Sequence, residues 1–242
     1  MRYLLLLLLF TVTLQEISSQ EITSPDNKLK LTIKLSDTGE LVYSLMREGE
    51  QVIKDSKLGI DLLDQADLMQ GFSITNINNS TFSEEWEPVW GEVDKILNNY
   101  NQMQVTLNQQ KEKRTIILTF RVFNDGIGFR YEFPKQDNLT YFTVLEENTE
   151  FNLTGDHKTF WIPGDYDSQE YTYTTSLLSE VNSNIDIIPC FVRTVWRRRS
   201  NRSNSRSCCI NDNVRASGNI CYRQSSIQST VSIQIPFVDT CI

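Results

Sequence analysis

Residues 120–134 of this chain read FRVFNDGIGFRYEFP, and this stretch decides the fold class. Two strand-like runs rich in aromatic residues, Phe120–Phe123 and Gly128–Phe133, meet at Asn124-Asp125-Gly126. An Asp-Gly pair between two apolar runs is a strong signal for a tight β-hairpin, because its residues accept the backbone angles that such turns need. The stretch therefore predicts two antiparallel strands at the centre of a β-sheet domain.

Short strand-like segments separated by turns extend on both sides of this hairpin. Leu29, Leu31, Ile33 and Leu35 alternate with polar residues, and this period of two indicates a half-buried strand. No segment shows a helical period. The other predicted strands are 41–46, 51–53, 56–62, 71–77, 100–107, 114–123, 141–144 and 149–153. Short strands at regular spacing predict an all-β, antiparallel sandwich.

Composition sets limits on the class of protein. The 242 residues are 39% hydrophobic and 10% aromatic, which is enough for a packed core. The net charge of −8 argues against a general nucleic-acid binder, since neutralising phosphates needs a basic surface.

The first 20 residues have the outline of a secretory signal. Arg2 precedes an apolar run from Leu4 to Phe10, and polar residues follow, with cleavage expected near Ser19 or Gln20. The run is too short to span a bilayer. The alternative, a buried first element, fits six consecutive leucines less well. We therefore expect an exported protein, periplasmic or secreted.

The composition changes after Ile188. All five cysteines lie beyond it, together with eight arginines, no lysine and two aspartates, a net charge of +6 against −14 for residues 1–188. We interpret residues 189–242 as an atypical Arg/Ser/Cys-rich tail, either read out of frame or disordered. Its Arg197–Arg206 run could bind phosphate or a membrane surface only if the tail is genuine. Its adjacent Cys208 and Cys209 lack metal-ligand spacing.

Six short pieces of the sequence together carry a resemblance to a known family. They are Ser24-Pro25-Asp26, WEPVWGE at 86–92, NDG at 124–126 leading into FRYEFP at 129–134, EFNLTGDH at 150–157, WIPGDYDS at 161–168 and residues 171–176. With these pieces, residues 21–188 resemble the N-terminal domain of glycoside hydrolase family 97. Each piece is weak alone, but six in the same order make a specific resemblance.

The resemblance implies an exported α-glucosidase or α-galactosidase, in which a galactose-mutarotase-like β-super-sandwich packs against a (β/α)₈ barrel. The barrel of such an enzyme carries the catalytic carboxylates and most of a calcium site. A barrel needs about 250 residues, so we expect this chain to lack it and the sandwich to be incomplete at its C-terminal end. Calcium is expected only in the full-length enzyme, and no catalytic or metal-binding residue is assigned here.

Two sets of polar residues could suggest catalysis within the sandwich itself. The single histidine, His157, lies in a polar turn, and we interpret it as a loop residue. A glycosidase carboxylate pair stands about 5 to 10 Å apart across a sugar. Carboxylates as close in sequence as Glu84, Glu85, Glu87 and Glu92 more often form a solvated cluster, and we reject them as that pair.

Aromatic residues are the remaining candidates, because aromatic rings can stack on sugars. For Trp86 and Trp90 we favour the core or a domain interface. Trp161, Asp165 and Tyr166 lie on a predicted loop, where ligand contacts concentrate. These three residues are the candidate substrate-binding set.

The sequence thus predicts the carbohydrate-associated, non-catalytic N-terminal domain of an α-glycosidase. Its partner would be an α-linked gluco- or galacto-oligosaccharide, reached through the parent enzyme. The alternative is a free-standing exported carbohydrate-binding or interaction module. A sandwich with its own catalytic site is the weakest option, because no acid/base pair is positioned for it.

Overall fold

The structure of the chain, a computed structural model, describes residues 19–161, 172–181, 190–197, 205–212 and 237–238. The described part consists of β-strands and two short 3₁₀ turns, at Asp137–Leu139 and Leu178–Glu180, without an α-helix. The first ten strands are β1 (Gln20–Thr23), β2 (Leu29–Leu35), β3 (Leu41–Arg47), β4 (Glu50–Leu58), β5 (Ile60–Leu62), β6 (Phe72–Trp86), β7 (Ile96–Gln109), β8 (Arg114–Phe123), β9 (Ile127–Glu132) and β10 (Val144–Glu147). The remaining strands are β11 (Lys158–Trp161), β12 (Thr174–Leu177), β13 (Cys190–Arg197), β14 (Ser205–Asp212) and β15 (Phe237–Val238). None of the described elements is a helix suited to crossing a membrane.

Two four-stranded antiparallel sheets form the body of the domain. The first has the strand order β1-β2-β3-β4 and the second has the order β6-β7-β8-β9, so both are simple meanders. Alternating residues of each sheet point to one shared hydrophobic core, as expected of a sandwich. The predicted all-β sandwich is confirmed.

The Asn124–Gly126 turn joins β8 to β9 as predicted. The amide of Phe123 donates to the carbonyl of Gly126 at 2.8 Å, which closes the loop. The side-chain oxygen of Asn124 accepts a hydrogen bond from the Asp26 amide at 2.9 Å. The central hairpin is therefore tied to the turn that precedes β2 in the other sheet.

The core is continuous between the two sheets and mostly aliphatic, with an aromatic centre. Phe120, Phe129 and Tyr131 from the second sheet are buried, as is Tyr43 from the first. Phe129 lies 5.9 Å from Tyr43 and 5.7 Å from Phe120 between ring centroids. Aromatic pairs at this separation add to the stabilisation from burial. The aromatic residues that mark residues 120–134 in the sequence are thus the centre of the core.

Strand β6 is longer than the sequence indicated. The prediction ended it at Ile77, before a polar cluster at Asn78–Thr81, but the ladder with β7 continues through Trp86, which pairs with Ile96. Residues 78–86 are all exposed, so this part of the strand has no buried face and needs no apolar alternation. Its backbone hydrogen bonds to β7 are sufficient to keep it extended.

Placing Trp86 and Trp90 in the core was wrong. Trp86 ends β6 and is 46% exposed, and Trp90 lies in the following loop and is 88% exposed. Both belong to a hairpin arm, residues 82–100, whose tip extends beyond the end of β8 because β8 pairs with β7 only as far as Tyr100. The interface alternative for these two residues remains open.

Three further predictions need correction. Residues 149–153 do not form a strand: Leu153 makes an isolated bridge with Ile53, and the Glu150 carboxylate accepts from the Lys57 amide at 3.0 Å. The strand predicted at 141–144 begins only at Val144. Trp161 ends strand β11 instead of lying on a loop.

Parts of the residue range assigned to an atypical tail extend a further sheet. The five-stranded sheet has the order β12-β11-β13-β14-β15, and β13 pairs with β11 through Thr159 and Thr194. Strands β13, β14 and β15 all lie after Ile188. The reading-frame hypothesis stays a prediction, and the rest of that range lies outside the described residues.

Candidate functional site

The loop before β11 and the 3₁₀ turn after β12 are held together by one carboxylate. The two oxygens of Asp156 accept from the Ser179 amide at 2.9 Å and from the Ser179 hydroxyl at 2.8 Å. These hydrogen bonds lower the pKa of Asp156, because they favour its charged form. The Leu178 amide also donates to the His157 carbonyl at 2.9 Å. Asp156 therefore has a structural role at the base of the β11–β12 pair.

His157 is a loop residue, as predicted. Its Nε2 lies 3.5 Å from the Thr154 hydroxyl, and partial burial lowers the pKa of the imidazole. Catalytic histidines are usually oriented by a carboxylate, but the adjacent Asp156 is hydrogen-bonded to Ser179. With Asp156 hydrogen-bonded to Ser179, this carboxylate does not orient His157 toward the Thr154 hydroxyl.

Trp161 is the one predicted substrate-binding residue that the structure describes. Its side chain is 9% exposed, and its indole N–H donates to the Ser176 hydroxyl at 3.1 Å. The Ser176 hydroxyl donates in turn to the Leu177 carbonyl at 2.8 Å. Asp165 and Tyr166 lie outside the described residues. The proposed contact of these three residues with sugar stays a prediction.

The carboxylates Glu84, Glu85, Glu87 and Glu92 lie on the hairpin arm and its tip. All four are exposed, and Glu85 pairs with Lys95 at 2.6 Å. A glycosidase acid is usually shielded from water, because burial raises its pKa toward the working pH. These exposed groups do not meet that requirement.

One shielded carboxylate was missed by the sequence analysis. Burial raises the pKa of Glu147 on β10, and its Oε1 accepts a hydrogen bond from the Thr149 hydroxyl at 2.7 Å. The Tyr131 hydroxyl lies 3.2 Å from the same Thr149 oxygen, and burial also raises the pKa of Tyr131. The cluster thus consists of one carboxylate and two hydroxyl groups. The adjacent Glu146 and Glu147 were the available signal, since a strand turns neighbouring residues to opposite faces.

Metal ligands are not clustered in the described ranges. Within them no group of three or more His, Cys, Asp or Glu side chains could hold a metal ion. The expectation of calcium in the full-length enzyme stays a prediction.

Comparison with known proteins places the chain in a family. A family model described as glycosyl-hydrolase 97 N-terminal matches residues 22–197, well over half of the chain. The chain belongs to this glycosyl-hydrolase 97 N-terminal family. The matched range includes β13 and so runs past Ile188, where the sequence resemblance was judged to end.

A curated relative and several solved structures agree with this assignment. The retaining alpha-galactosidase of Bacteroides thetaiotaomicron is 28% identical over 192 residues, which cover 74% of this chain and 27% of that protein. Glycoside hydrolase family 97 enzymes from Pseudoalteromonas sp. strain K8, solved with panose and with acarbose, match at 22% identity with a TM-score of 0.63, over 90% of this chain and 32% of theirs. A beta-arabinopyranosidase structure matches at 16% identity with a TM-score of 0.62, over 91% of this chain and 40% of its own. At 16% and 22% identity, these structural matches show a similar fold and nothing further about function.

The chain spans only part of each of these relatives. It covers about a quarter to two fifths of their lengths. The activity of a complete family 97 enzyme is therefore not a property shown for this domain.

Proposed function

We propose that this chain is the N-terminal accessory sandwich of an exported α-glycosidase, and that it packs against a (β/α)₈ catalytic barrel. The observation that carries the proposal is the family match over residues 22–197. The sandwich buttresses the barrel and helps to shape a pocket for terminal α-linked sugars. The names of the relatives support a carbohydrate substrate for the complete enzyme without choosing between gluco- and galacto-configured sugars.

Hydrolysis is assigned to the barrel and not to this domain. The exposed carboxylates of the hairpin arm and the single shielded Glu147 do not form the acid/base pair that the reaction needs. His157 is likewise unsuited to nucleophilic catalysis. Calcium belongs in this proposal to the complete enzyme alone, and no step of this domain uses it.

Export rests on the N-terminal sequence. The Leu4–Phe10 run after Arg2 supports a cleaved signal, and β1 begins at Gln20, next to the expected cleavage point. Recovery of the expressed chain in the periplasm or medium, with a new N-terminus at Ser19, Gln20 or Glu21, would support export. Retention of Met1 in a cytoplasmic product would contradict it.

A free-standing exported carbohydrate-binding module is the second candidate. The observation that favours this candidate is the hydrophobic core, which residues 22–142 form without a contribution from a barrel. The coding sequence that follows this chain in the genome distinguishes the two functions. A barrel-coding sequence in frame or directly downstream supports the accessory domain, whereas its absence contradicts that proposal and favours the module.

A further inference from the structure

In the hairpin arm, several large apolar side chains lie on the outer face of the second sheet, away from its core face. Directly opposite residues of antiparallel strands share a face, so the pairs Met103–Phe120 and Val105–Leu118 mark the core face of the second sheet. Residues of the opposite parity lie on the outer face. Along the arm and at the adjoining end of β8, this outer face carries five large apolar side chains: Phe82, Trp86, Ile96, Tyr100 and Phe123. We call these five residues the outer strip.

Three rings of the outer strip pack on one another. Phe82 stacks on Tyr100 with centroids 5.1 Å apart and planes 23° apart, and Tyr100 lies 5.1 Å from Phe123. Phe82 is still 41% exposed, so a free ring surface faces solvent. Exposed apolar groups that are ordered and contiguous usually mark a binding site.

An arginine lies beside these rings in a set position. The Arg121 guanidinium carbon lies 4.5 Å from the Tyr100 ring centroid, and its Nε donates to the Gln102 side-chain oxygen at 2.9 Å. Within the described part of the chain no hydrogen bond or ion pair engages its two terminal nitrogens, which remain available as donors. Arginine held against an aromatic face loses little further freedom when it binds a ligand.

Polar pairs alternate with the apolar pairs along the arm. Going outward, the strand pairs on this face are Ser80–Gln102, Phe82–Tyr100, Glu84–Asn98 and Trp86–Ile96. A carboxylate and an amide thus lie between two stacking surfaces. The core of a protein–protein interface is depleted of charged residues, whereas a sugar chain presents both apolar C–H faces and hydroxyl groups.

The size of the outer strip also favours a small ligand. Phe82 to Trp86 spans about 13 Å along the strand, and beyond Tyr100 the strip is only two strands wide, about 5 Å between strand axes, because β8 ends at Phe123. A stable protein interface buries roughly 800 Å² on each partner. The strip is therefore too small to hold a protein domain by itself and is suited to a few sugar rings.

We propose that the outer strip, with Glu84, Asn98, Gln102 and Arg121, is a binding surface for a short neutral oligosaccharide. One sugar ring stacks on Phe82 and another on Trp86, while the polar groups between and beside them bind hydroxyls. This surface lies within residues 80–123 and does not require a catalytic barrel. Its failure would therefore leave the proposed accessory function intact.

Isothermal titration calorimetry of the purified chain with maltotetraose and stachyose tests the proposal. We expect binding of at least one of them with a Kd of about 1 mM or tighter, and binding of glucose at least about tenfold weaker, because a monosaccharide reaches only one ring. Phe82→Ala and Trp86→Ala should each weaken binding about tenfold or more. Trp90→Ala, which removes an exposed tryptophan outside the strip, should leave the Kd unchanged.

Several outcomes would overturn the proposal. These are absence of binding at millimolar sugar, equal affinity for glucose and the tetrasaccharides, or equal losses from Phe82→Ala and Trp90→Ala. Thermal unfolding of each variant separates lost binding from lost folding, and Phe82→Tyr, which keeps the ring, should retain affinity. Self-association that Phe82→Ala abolishes, measured by sedimentation, would instead identify the strip as a protein contact.

Discussion

Tyr43 of β3 and Phe129 of β9 pack against each other across the two sheets, with ring centroids 5.9 Å apart and planes at 52°. The Tyr43 hydroxyl also donates to the Glu150 carbonyl at 2.8 Å, so the same residue fixes the loop before β11. Both rings are buried, Tyr43 completely. This pair joins the sequence-distant halves of the sandwich core.

The two residues should differ sharply in what their truncation costs. Phe129→Ala removes a buried ring and should lower the free energy of unfolding by about 3–5 kcal/mol. Tyr43→Phe keeps the ring but leaves the Glu150 carbonyl without its hydroxyl partner, and should cost about 1–2 kcal/mol. Urea denaturation measures both values. A loss below about 1 kcal/mol for Phe129→Ala would contradict a shared core between the sheets.

This pair shows what the sequence could and could not predict. Phe129 lies in an alternating run beside an Asn-Asp-Gly turn, and both signals are local, so its strand and hairpin were predictable. Its contact with Tyr43 is between residues 86 positions apart, and no local pattern specifies such a partner. The Glu150 loop was predicted as a strand because its composition is strand-like, yet side-chain hydrogen bonds hold it along β4.

Gly39 and Gly49 provide a matched test of backbone conformation and close packing. Both have positive φ, +75° and +82°. A Cβ on Gly39 would lie 2.7 Å from the backbone nitrogen and oxygen of Phe72, whereas one on Gly49 would meet nothing within 4 Å. Gly49→Ala should therefore cost about 1–2 kcal/mol from backbone strain alone. Gly39→Ala should cost about 3 kcal/mol or more, because overpacking adds to that strain.

Thermal or urea unfolding of the two alanine variants measures this difference. Equal destabilisation by both substitutions would show that the Ser36–Glu40 turn does not pack on the start of β6. The packed arrangement is supported by the Phe72 amide, which donates to the Gly39 carbonyl at 3.1 Å.

Arg114 organises the loop between β5 and β6. Its Nη2 donates to the carbonyls of Ala66 and Asp67, both at 2.9 Å, and its Nε donates to the Gln109 side chain at 3.0 Å. Arg114→Met should lower the free energy of unfolding by about 3 kcal/mol, because it removes the hydrogen bonds that a buried guanidinium donates to the Ala66 carbonyl and to the Gln109 side chain. Lys95→Met, which breaks only the exposed pair with Glu85, should change it by about 0.5 kcal/mol or less.

Hydrogen exchange supplies a local test of the same role. Amides of residues 67–71 should exchange faster in Arg114→Met than in the wild type, while those of β2 and β3 change only through global stability. Exchange of the residue 67–71 amides at the wild-type rate in the variant would contradict this role of Arg114. No local sequence pattern indicates this role, because Gln109 and Arg114 flank a turn, where polar side chains are usually exposed.

Glu147 should make stability depend on pH in the direction opposite to an ordinary ion-paired carboxylate. Burial raises its pKa above the ordinary value of a glutamate, so the folded protein binds its proton more tightly than the unfolded chain does. The free energy of unfolding therefore falls as pH rises from the unfolded pKa through the folded pKa, and the full contribution is present only below the unfolded value. Glu147→Gln removes this dependence while keeping an oxygen that can accept from Thr149.

The prediction is measured as the difference between Glu147→Gln and wild type in urea denaturation. We expect similar stability at pH 4 and a more stable variant at pH 7. The comparison cancels the opposite effect of Asp26, Glu40 and Asp156, whose lowered pKa values make stability fall at acid pH. A variant that is less stable than wild type at pH 7 would show that the charged carboxylate is favourable in the folded protein.

The candidate site shows a further limit of sequence-based prediction. Trp161 was expected on a loop because Pro163 and Gly164 follow it, but pairing of β11 with both β12 and β13 extends the strand to Trp161. Trp86 and Trp90 were expected in the core or an interface from residue type alone. They are exposed because the arm projects past the end of β8. This projection depends on the length of β6, which was predicted to end before the polar residues Asn78–Thr81.

The central claim is that this domain supports an α-glycosidase without being the catalyst, and one assay tests it most directly. Purified chain is incubated with p-nitrophenyl α-glucoside and with p-nitrophenyl α-galactoside, in the presence of calcium, and release of p-nitrophenol is followed. We expect no release of p-nitrophenol above that of a blank without protein. Release that rises in proportion to chain concentration, and that Glu147→Gln abolishes in a folded variant, would contradict it.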